Sequence, residues 1–199
     1  MIWRPPIRLQ LSGQAMNNIR CNSSVQFKSE VTTRFMQGAR LSMDSTTKIS
    51  REELVALALK VSENAVAHHS NFHVGAALET TEGEVFTGCN VESDSYGLTI
   101  CAERVALTKA LSEGEREFTR IAIVGIQCDK NGNPITEDDE WYCGEPNQTG
   151  LGPCGACRQL LWDHCRDIEV IGATPEGEVG KVWQLAELLP DAFNYEKKT

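Results

Sequence analysis

Ile121-Ala122-Ile123-Val124-Gly125-Ile126 is apolar at every position. A run of this kind fits a strand buried on both faces, and such strands belong to sheets covered by helices on either side. The flanking segments agree. Upstream, residues 102–112 carry Val105, Ala106, Leu107, Ala110 and Leu111 at helical spacing, and downstream a helix with Leu160, Leu161 and Trp162 follows Pro153. Further out, Ser50-Arg51-Glu52-Glu53 is a capping box, a hydroxyl at the N-cap with a carboxylate three residues on. Leu54, Leu57, Ala58, Val61 and Ala65 then predict a first helix over 51–67. His73–Glu79 and Glu84–Cys89 read as strands joined by a turn at Glu82-Gly83, Ile168–Gly172 as a strand, and Leu185–Leu189 as a short helix before Pro190. The predicted order is α-β-β-α-β-α-β-α. This is an α/β protein, a three-layer α/β/α arrangement with a mixed central sheet.

A chain of 199 residues suits one domain, and 41% hydrophobic with 24% charged residues is ordinary globular composition. The net charge of -9 argues against a general grip on nucleic-acid phosphates. No apolar run reaches the ~18 residues of a membrane span, so no membrane partner is expected. Charge is uneven along the chain. Residues 1–43 hold six basic groups and one acid, whereas 44–199 hold 13 basic and 27 acidic groups, a balance of -14. Residues 1–48 therefore read as a disordered leader or a transit segment, or as an upstream start ahead of Met43. The expected location is the cytoplasm, or an organelle reached through the basic leader. Residues 49–199 form the predicted domain, with an inserted acidic loop at about 129–150 that contains Trp141-Tyr142. Loops of that length are lids, binding loops or solvated excursions.

The chemistry concentrates in Cys101-Ala102-Glu103 and Pro153-Cys154-Gly155-Ala156-Cys157. Three cysteines satisfy three corners of a tetrahedral zinc site, with two residues between Cys154 and Cys157. No second CxxC or nearby histidine closes the fourth corner, and three protein ligands with a position open to water is the catalytic rather than the structural pattern. Both segments sit where helices begin, and helix N-termini stabilise thiolates. Three thiolates on one Zn²⁺ leave a formal charge of -1. Arg104 and Arg158 each follow a ligand segment and are expected to offset the surplus by donating to sulfur from the second layer of groups. Glu103, two residues from a ligand, is placed to move protons between water and a substrate nitrogen.

Other candidates read as ordinary. Neighbouring side chains diverge, so His68 and His69 are expected to be loop or helix-end residues rather than joint ligands. Cys128, Cys143 and Cys165 show no ligand spacing and read as free thiols, and Cys89 reads as small apolar filler in a strand.

Five ordered blocks resemble the cytidine deaminase family, the small zinc-dependent enzymes that act on free nucleosides. They are Ser70–Ala77, Gly88-Cys89-Asn90-Val91-Glu92, Ser95–Arg104, Pro153–Gln159, and Leu188-Leu189-Pro190 with Phe193; the likeness runs from Ile49 to Phe193. The resemblance implies one Zn²⁺ per chain on Cys101, Cys154 and Cys157, with Glu103 as proton shuttle. It implies that Asn90 and Glu92 hold ribose hydroxyls, that Phe72 and Phe193 line the base and sugar pocket, and that Ala102 is among the substrate-binding positions. Tyr96 matches a residue offered across a subunit interface, and a homotetramer is implied with it. Where the family commonly reads Asn-Val-Glu-Asn-Ala-Ser-Tyr, this chain has Ser93 and Asp94, and about twenty extra residues precede Pro153. The expected reaction is hydrolytic deamination of cytidine and deoxycytidine to the uridines, a step of pyrimidine salvage. The alternative is a modified nucleoside, a nucleoside antibiotic or another amino-heterocycle handled by the same chemistry.

Overall fold

The computed structural model describes residues 49–135 and 150–194. The expectations for the 1–48 leader, for Cys21, and for the part of the insertion holding Trp141, Tyr142 and Cys143 fall outside the described residues.

The chain runs through α1 (Arg51–Ser62), β1 (Phe72–Thr80), β2 (Val85–Cys89), a single 3-10 turn (Tyr96–Leu98), α2 (Ala102–Glu113), β3 (Phe118–Gln127), α3 (Gly155–Cys165), β4 (Glu169–Ala173), β5 (Val179–Gln184) and α4 (Leu185–Leu188). The strands form one sheet in the order β2-β1-β3-β4-β5. β3 is the central strand and contains the Ile121–Ile126 run. It pairs antiparallel with β1, Val124 opposite Gly75, and parallel with β4, Ile121 opposite Val170. Antiparallel pairings of β1 with β2 and of β4 with β5 complete a mixed sheet.

Alternation along the central strands assigns each side chain to a face. Ile121, Ile123, Ala76, Leu78 and Val170 pack with Ala106, Leu107 and Ala110 of α2, Leu161 of α3 and Leu185 of α4. Ala122, Val124, Ala77 and Ile171 pack on the other side against Leu54, Val55 and Ala58 of α1. Both faces are covered, so the three-layer α/β/α architecture holds, and β3 has no room for a polar position between Ile121 and Val124.

Two features depart from the expected ones by more than a few residues. The first helix stops at Ser62 instead of continuing to 67. The Ser62 hydroxyl donates to the Leu59 carbonyl at 2.7 Å, two tight turns follow at Val61–Asn64 and Ser62–Ala65, and Val66 is drawn off to pair with Val91. Ala65, in step with the helical period, belongs to that turn. The second difference is β5, a ninth element that the predicted order lacks. It is an edge strand, with no residue fully buried, so its apolar pattern is thin. A turn with Gly177 at φ 84° joins it to β4.

The N-terminal edge of the domain is tied down by a buried ion pair. Glu79 is fully buried, and the Arg120 guanidinium donates both to its carboxylate and to the Ile49 carbonyl.

α2 lies directly on β2 because residue 88 is glycine. A Cβ there would sit 2.5 Å from the Ala106 amide nitrogen and 2.6 Å from the Ala102 carbonyl oxygen, both backbone atoms that cannot step aside. Gly88→Ala is therefore expected to cost about 1–3 kcal/mol, the usual range for overpacking. A thermal melt of the variant should show Tm lowered by several degrees.

Candidate metal and catalytic centre

The first turns of α2 and α3 meet at the candidate site. Cys101 is the N-cap of α2 and Cys154 the N-cap of α3, both with extended backbone and neither with a side-chain capping bond. Cys157 is three residues into α3. N-cap and third helical positions are neighbours across a first turn, so the CxxC spacing places both sulfurs at the same helix end. The Cys101 and Cys154 Sγ atoms lie 3.9 Å apart, and all three sulfurs lie within 4.8 Å of one another. Cys157 is buried, Cys101 half-buried and Cys154 exposed, which leaves the group open on one side.

Arg104 is the third helical residue of α2 and folds back over its own N-cap. Its Nη2 donates to the Thr99 carbonyl at 2.8 Å and to Cys101 Sγ at 3.8 Å. Arg158 differs from expectation. It donates from Nε to the Pro153 carbonyl at 2.8 Å and from Nη1 to the Leu188 carbonyl at 3.0 Å. It braces the backbone ahead of Cys154, because the carbonyls of the loop and of α4 lie nearer its fork than a thiol does.

The thiols perturb one another. A hydrogen bond with Cys157, reinforced by the Arg104 guanidinium, draws the Cys101 thiol down to about 5. The same hydrogen bond and burial push Cys157 upward. A soft, thiolate-ready donor set of this shape fits zinc: three sulfurs converge, one is already inclined to ionise, and a cation sits beside them.

Glu103 is 4% exposed. Burial above all, and then the charge on Cys101, raises its carboxyl above the usual carboxylate range, against hydrogen bonds from its own backbone and from Cys157. Ala102 is fully buried among the core residues, so only its backbone is available to a ligand.

Asn90 and Glu92 lie on the connection leaving β2. Asn90 Oδ1 accepts from the Val74 amide at 2.8 Å and its Nδ2 donates to the Phe72 carbonyl at 2.9 Å. Glu92 accepts from the His69 and Ser70 amides, at 2.7 and 3.2 Å, and from the Ser70 hydroxyl. Partial burial works against its charge, but the Ser70 hydroxyl and these two amides outweigh it and hold the carboxyl below its ordinary range. Both side chains thus position the start of β1. Phe72 closes with Leu151 over Gly125. Phe193 is 69% exposed, held through its backbone by Gln159, which donates to its carbonyl at 2.9 Å and accepts from its amide at 3.3 Å. Tyr96 is 75% exposed and meets the His69 ring edge-on, at 5.2 Å between centroids.

Ser70 and Gln159 were not singled out as positioning residues in the sequence, since a serine beside a histidine and a glutamine on a helix carry no spacing signal. The reading of His68 and His69 as divergent also needs correction. Their ring centroids are 4.1 Å apart, and both Nε2 atoms approach Asp94 Oδ1, at 3.4 and 3.2 Å. The turn responsible is closed by the Asn71 amide on the Ala67 carbonyl, with Asn71 at φ 52°. Cys128 and Cys165 are thiols pushed up by burial, Cys165 to about 12, and Cys89 donates to the Asn64 carbonyl at 3.3 Å.

Residues 48–172 match the family model of the cytidine and deoxycytidylate deaminase zinc-binding region. The chain therefore belongs to the cytidine deaminase family of enzymes. It is 37% identical over 149 residues to a cytidine deaminase of Halalkalibacterium halodurans, covering 74% of this chain and 97% of that one. A probable cytidine deaminase of Dictyostelium discoideum is 39% identical over 145 residues, 73% of this chain and 84% of its own. Among solved structures, the cytidine deaminase from Burkholderia pseudomallei superposes with a TM-score of 0.60 at 40% identity, covering 73% of this chain and all of that one.

Burial of Glu103 makes a prediction about stability. Its carboxyl ionises more readily in the unfolded chain than in the fold, so its contribution to stability is full at low pH. That contribution is lost as pH rises from about 4.3 through the raised native value. Gln has no proton to lose. Metal-free Glu103→Gln is therefore expected to melt above metal-free wild type at pH 7, with the gap closing toward pH 4, as followed by thermal melts across that range.

Proposed function

We propose that this protein hydrolytically deaminates cytidine and deoxycytidine, releasing ammonia, with one Zn²⁺ per chain on Cys101, Cys154 and Cys157. The observation that carries the reading is the meeting of three thiols with a buried carboxylate two residues from one of them, open on one side. Zinc, when bound, is a Lewis acid that makes hydroxide available near neutral pH. Glu103 takes the proton from the attacking water at a carboxylate oxygen, passes it to the ring nitrogen of the base, and then serves the departing amine. Burial raises its carboxyl above the ordinary carboxylate range, which favours the proton-bearing half of that cycle. Arg104 counters the excess negative charge of three thiolates.

Asn90 and Glu92 bind the sugar in this reading. Glu92, ionised and already oriented by the His69 and Ser70 amides, accepts from ribose hydroxyls, and Asn90 retains one N–H and lone-pair capacity beyond its two backbone bonds. Phe72 and Phe193 flank the base and sugar. The relatives at 36–39% identity support the nucleoside substrate, whereas a blasticidin-S deaminase of Bacillus cereus matches at 28%.

The direct test is ammonia release by zinc-loaded protein from cytidine, deoxycytidine and free cytosine. Turnover of both nucleosides with little from the free base is expected, because the base offers nothing to Asn90 and Glu92. Glu103→Gln should keep its zinc and lose about 10²–10⁴-fold or more of kcat. Near-normal turnover in that variant would reject the shuttle role.

The protein is also proposed to work as a homotetramer. Val66, Val91, Tyr96, Leu98, Ile100 and Phe193 are large apolar side chains left exposed, and backbone pairing lines up Val66, Val91 and Ile100. Clustered apolar exposure of this kind marks an interface. Sedimentation velocity of the active protein is expected to show four chains; an active monomer would overturn the assembly.

A further inference from the structure

We propose that His68, His69 and Asp94 form a second site, for a divalent transition metal such as Zn²⁺ or Ni²⁺, separate from the three-thiol centre. One ligand atom from each residue lies within 4.8 Å of the other two. The His68 Nε2–Asp94 Oδ1 and His69 Nε2–Asp94 Oδ1 separations are 3.4 and 3.2 Å. Metal–nitrogen and metal–oxygen bonds of about 2.0–2.1 Å require ligand atoms about 3.3 Å apart along a tetrahedral edge. The two nitrogen–oxygen separations match that edge, and the two ring nitrogens lie within 4.8 Å of each other.

The chemistry of the donor set points the same way. Two imidazoles and a carboxylate suit zinc, nickel and copper, whereas calcium and magnesium take oxygen donors. A single oxygen, Asp94 Oδ1, faces both rings. Serving two imidazoles at once by hydrogen bonding requires an N–H on each Nε2. A cation between them is instead held by one ring-nitrogen lone pair from each histidine and by the carboxylate oxygen. Exposed His–Asp pairs contribute little by themselves, so they do not account for the convergence of three side chains.

The backbone that carries the three ligands is fixed by other bonds. The 67–71 turn is closed by the Asn71 amide on the Ala67 carbonyl at 2.8 Å, and Glu92 accepts from the His69 and Ser70 amides. On the other side, the Ser93 amide donates to Thr99 Oγ1 at 3.1 Å and the Ser95 amide to Ser93 Oγ at 3.2 Å. Asp94 therefore sits between two anchored residues. The His69 ring is steadied edge-on against Tyr96. In the single chain His68 and Asp94 are open to solvent, which leaves room there for water to complete the coordination. A metal here would clip the 67–71 turn to the 93–95 segment, on either side of Glu92.

The test is calorimetric titration of Ni²⁺ into tag-free protein already loaded with zinc, with zinc content measured before and after. The expected result is one further equivalent of metal at constant zinc. His68→Gln and Asp94→Asn, each a surface substitution that keeps size and polarity, should lose that equivalent while retaining the zinc. Either variant retaining its zinc is enough for the comparison. Wild type that takes up no extra nickel, or variants that take up as much as wild type, would overturn the site.

Discussion

The meeting of two helix N-termini is the constraint on which the rest of the centre depends. Cys101 and Cys154 occupy the N-cap positions of α2 and α3, where a hydroxyl or carboxylate usually satisfies the free amides, and neither makes a capping bond. The two positive helix ends instead face sulfurs that gain from ionising. The sheet keeps them together. α2 rests on β2 through Gly88, and α3 packs on the same face through Leu161. Rigid elements hold the first turns to the fractions of an ångström a catalytic centre needs.

Charge around the thiols is arranged in layers. Arg104 occupies the place of a capping-box partner and brings a guanidinium to Cys101, while Arg158 supports the backbone at Pro153 and leaves the sulfur charge to its counterpart. Glu103 is likewise buried, and among the described residues no cation pairs with its carboxylate in the manner of the Glu79–Arg120 pair. One buried acid is neutralised for stability. The other is left with its carboxyl raised by burial.

Most of the fold could be read from the sequence because its central strand is buried on both faces, which makes Ile121–Ile126 apolar without interruption. The capping box at Ser50 likewise marked the start of α1, since the bonds it predicts are local: Ser50 Oγ accepts from the Glu53 amide, and the Glu53 carboxylate from the Ser50 amide. What stayed hidden was set by long-range contact. α1 ends early because Val66 finds a partner in Val91, 25 residues on. β5 exposes both of its faces in part, so no run of apolar residues marked it as a strand. At the site, the cysteine spacing was legible because it spans one helical turn. The approach of His68 and His69 to Asp94 was not, since it depends on Asn71 in a left-handed conformation and on Glu92 holding the turn from across the fold.

The connection from β3 to α3 has a further consequence. It is pinned at both margins: at one by the Ile135 amide on the Gln127 carbonyl and the Cys128–Pro134 bridge, at the other by Gly150, whose backbone presses on Gly172 so closely that a Cβ would lie 2.3 Å from its carbonyl oxygen. The chain therefore leaves β3 and returns ahead of α3 at fixed points. The helix end that carries Cys154 and Cys157 is thus approached from a set position, four residues before Cys154, at a glycine that only a bare backbone could fill, so a substitution at Gly150 would be felt at the thiols rather than at the sheet alone.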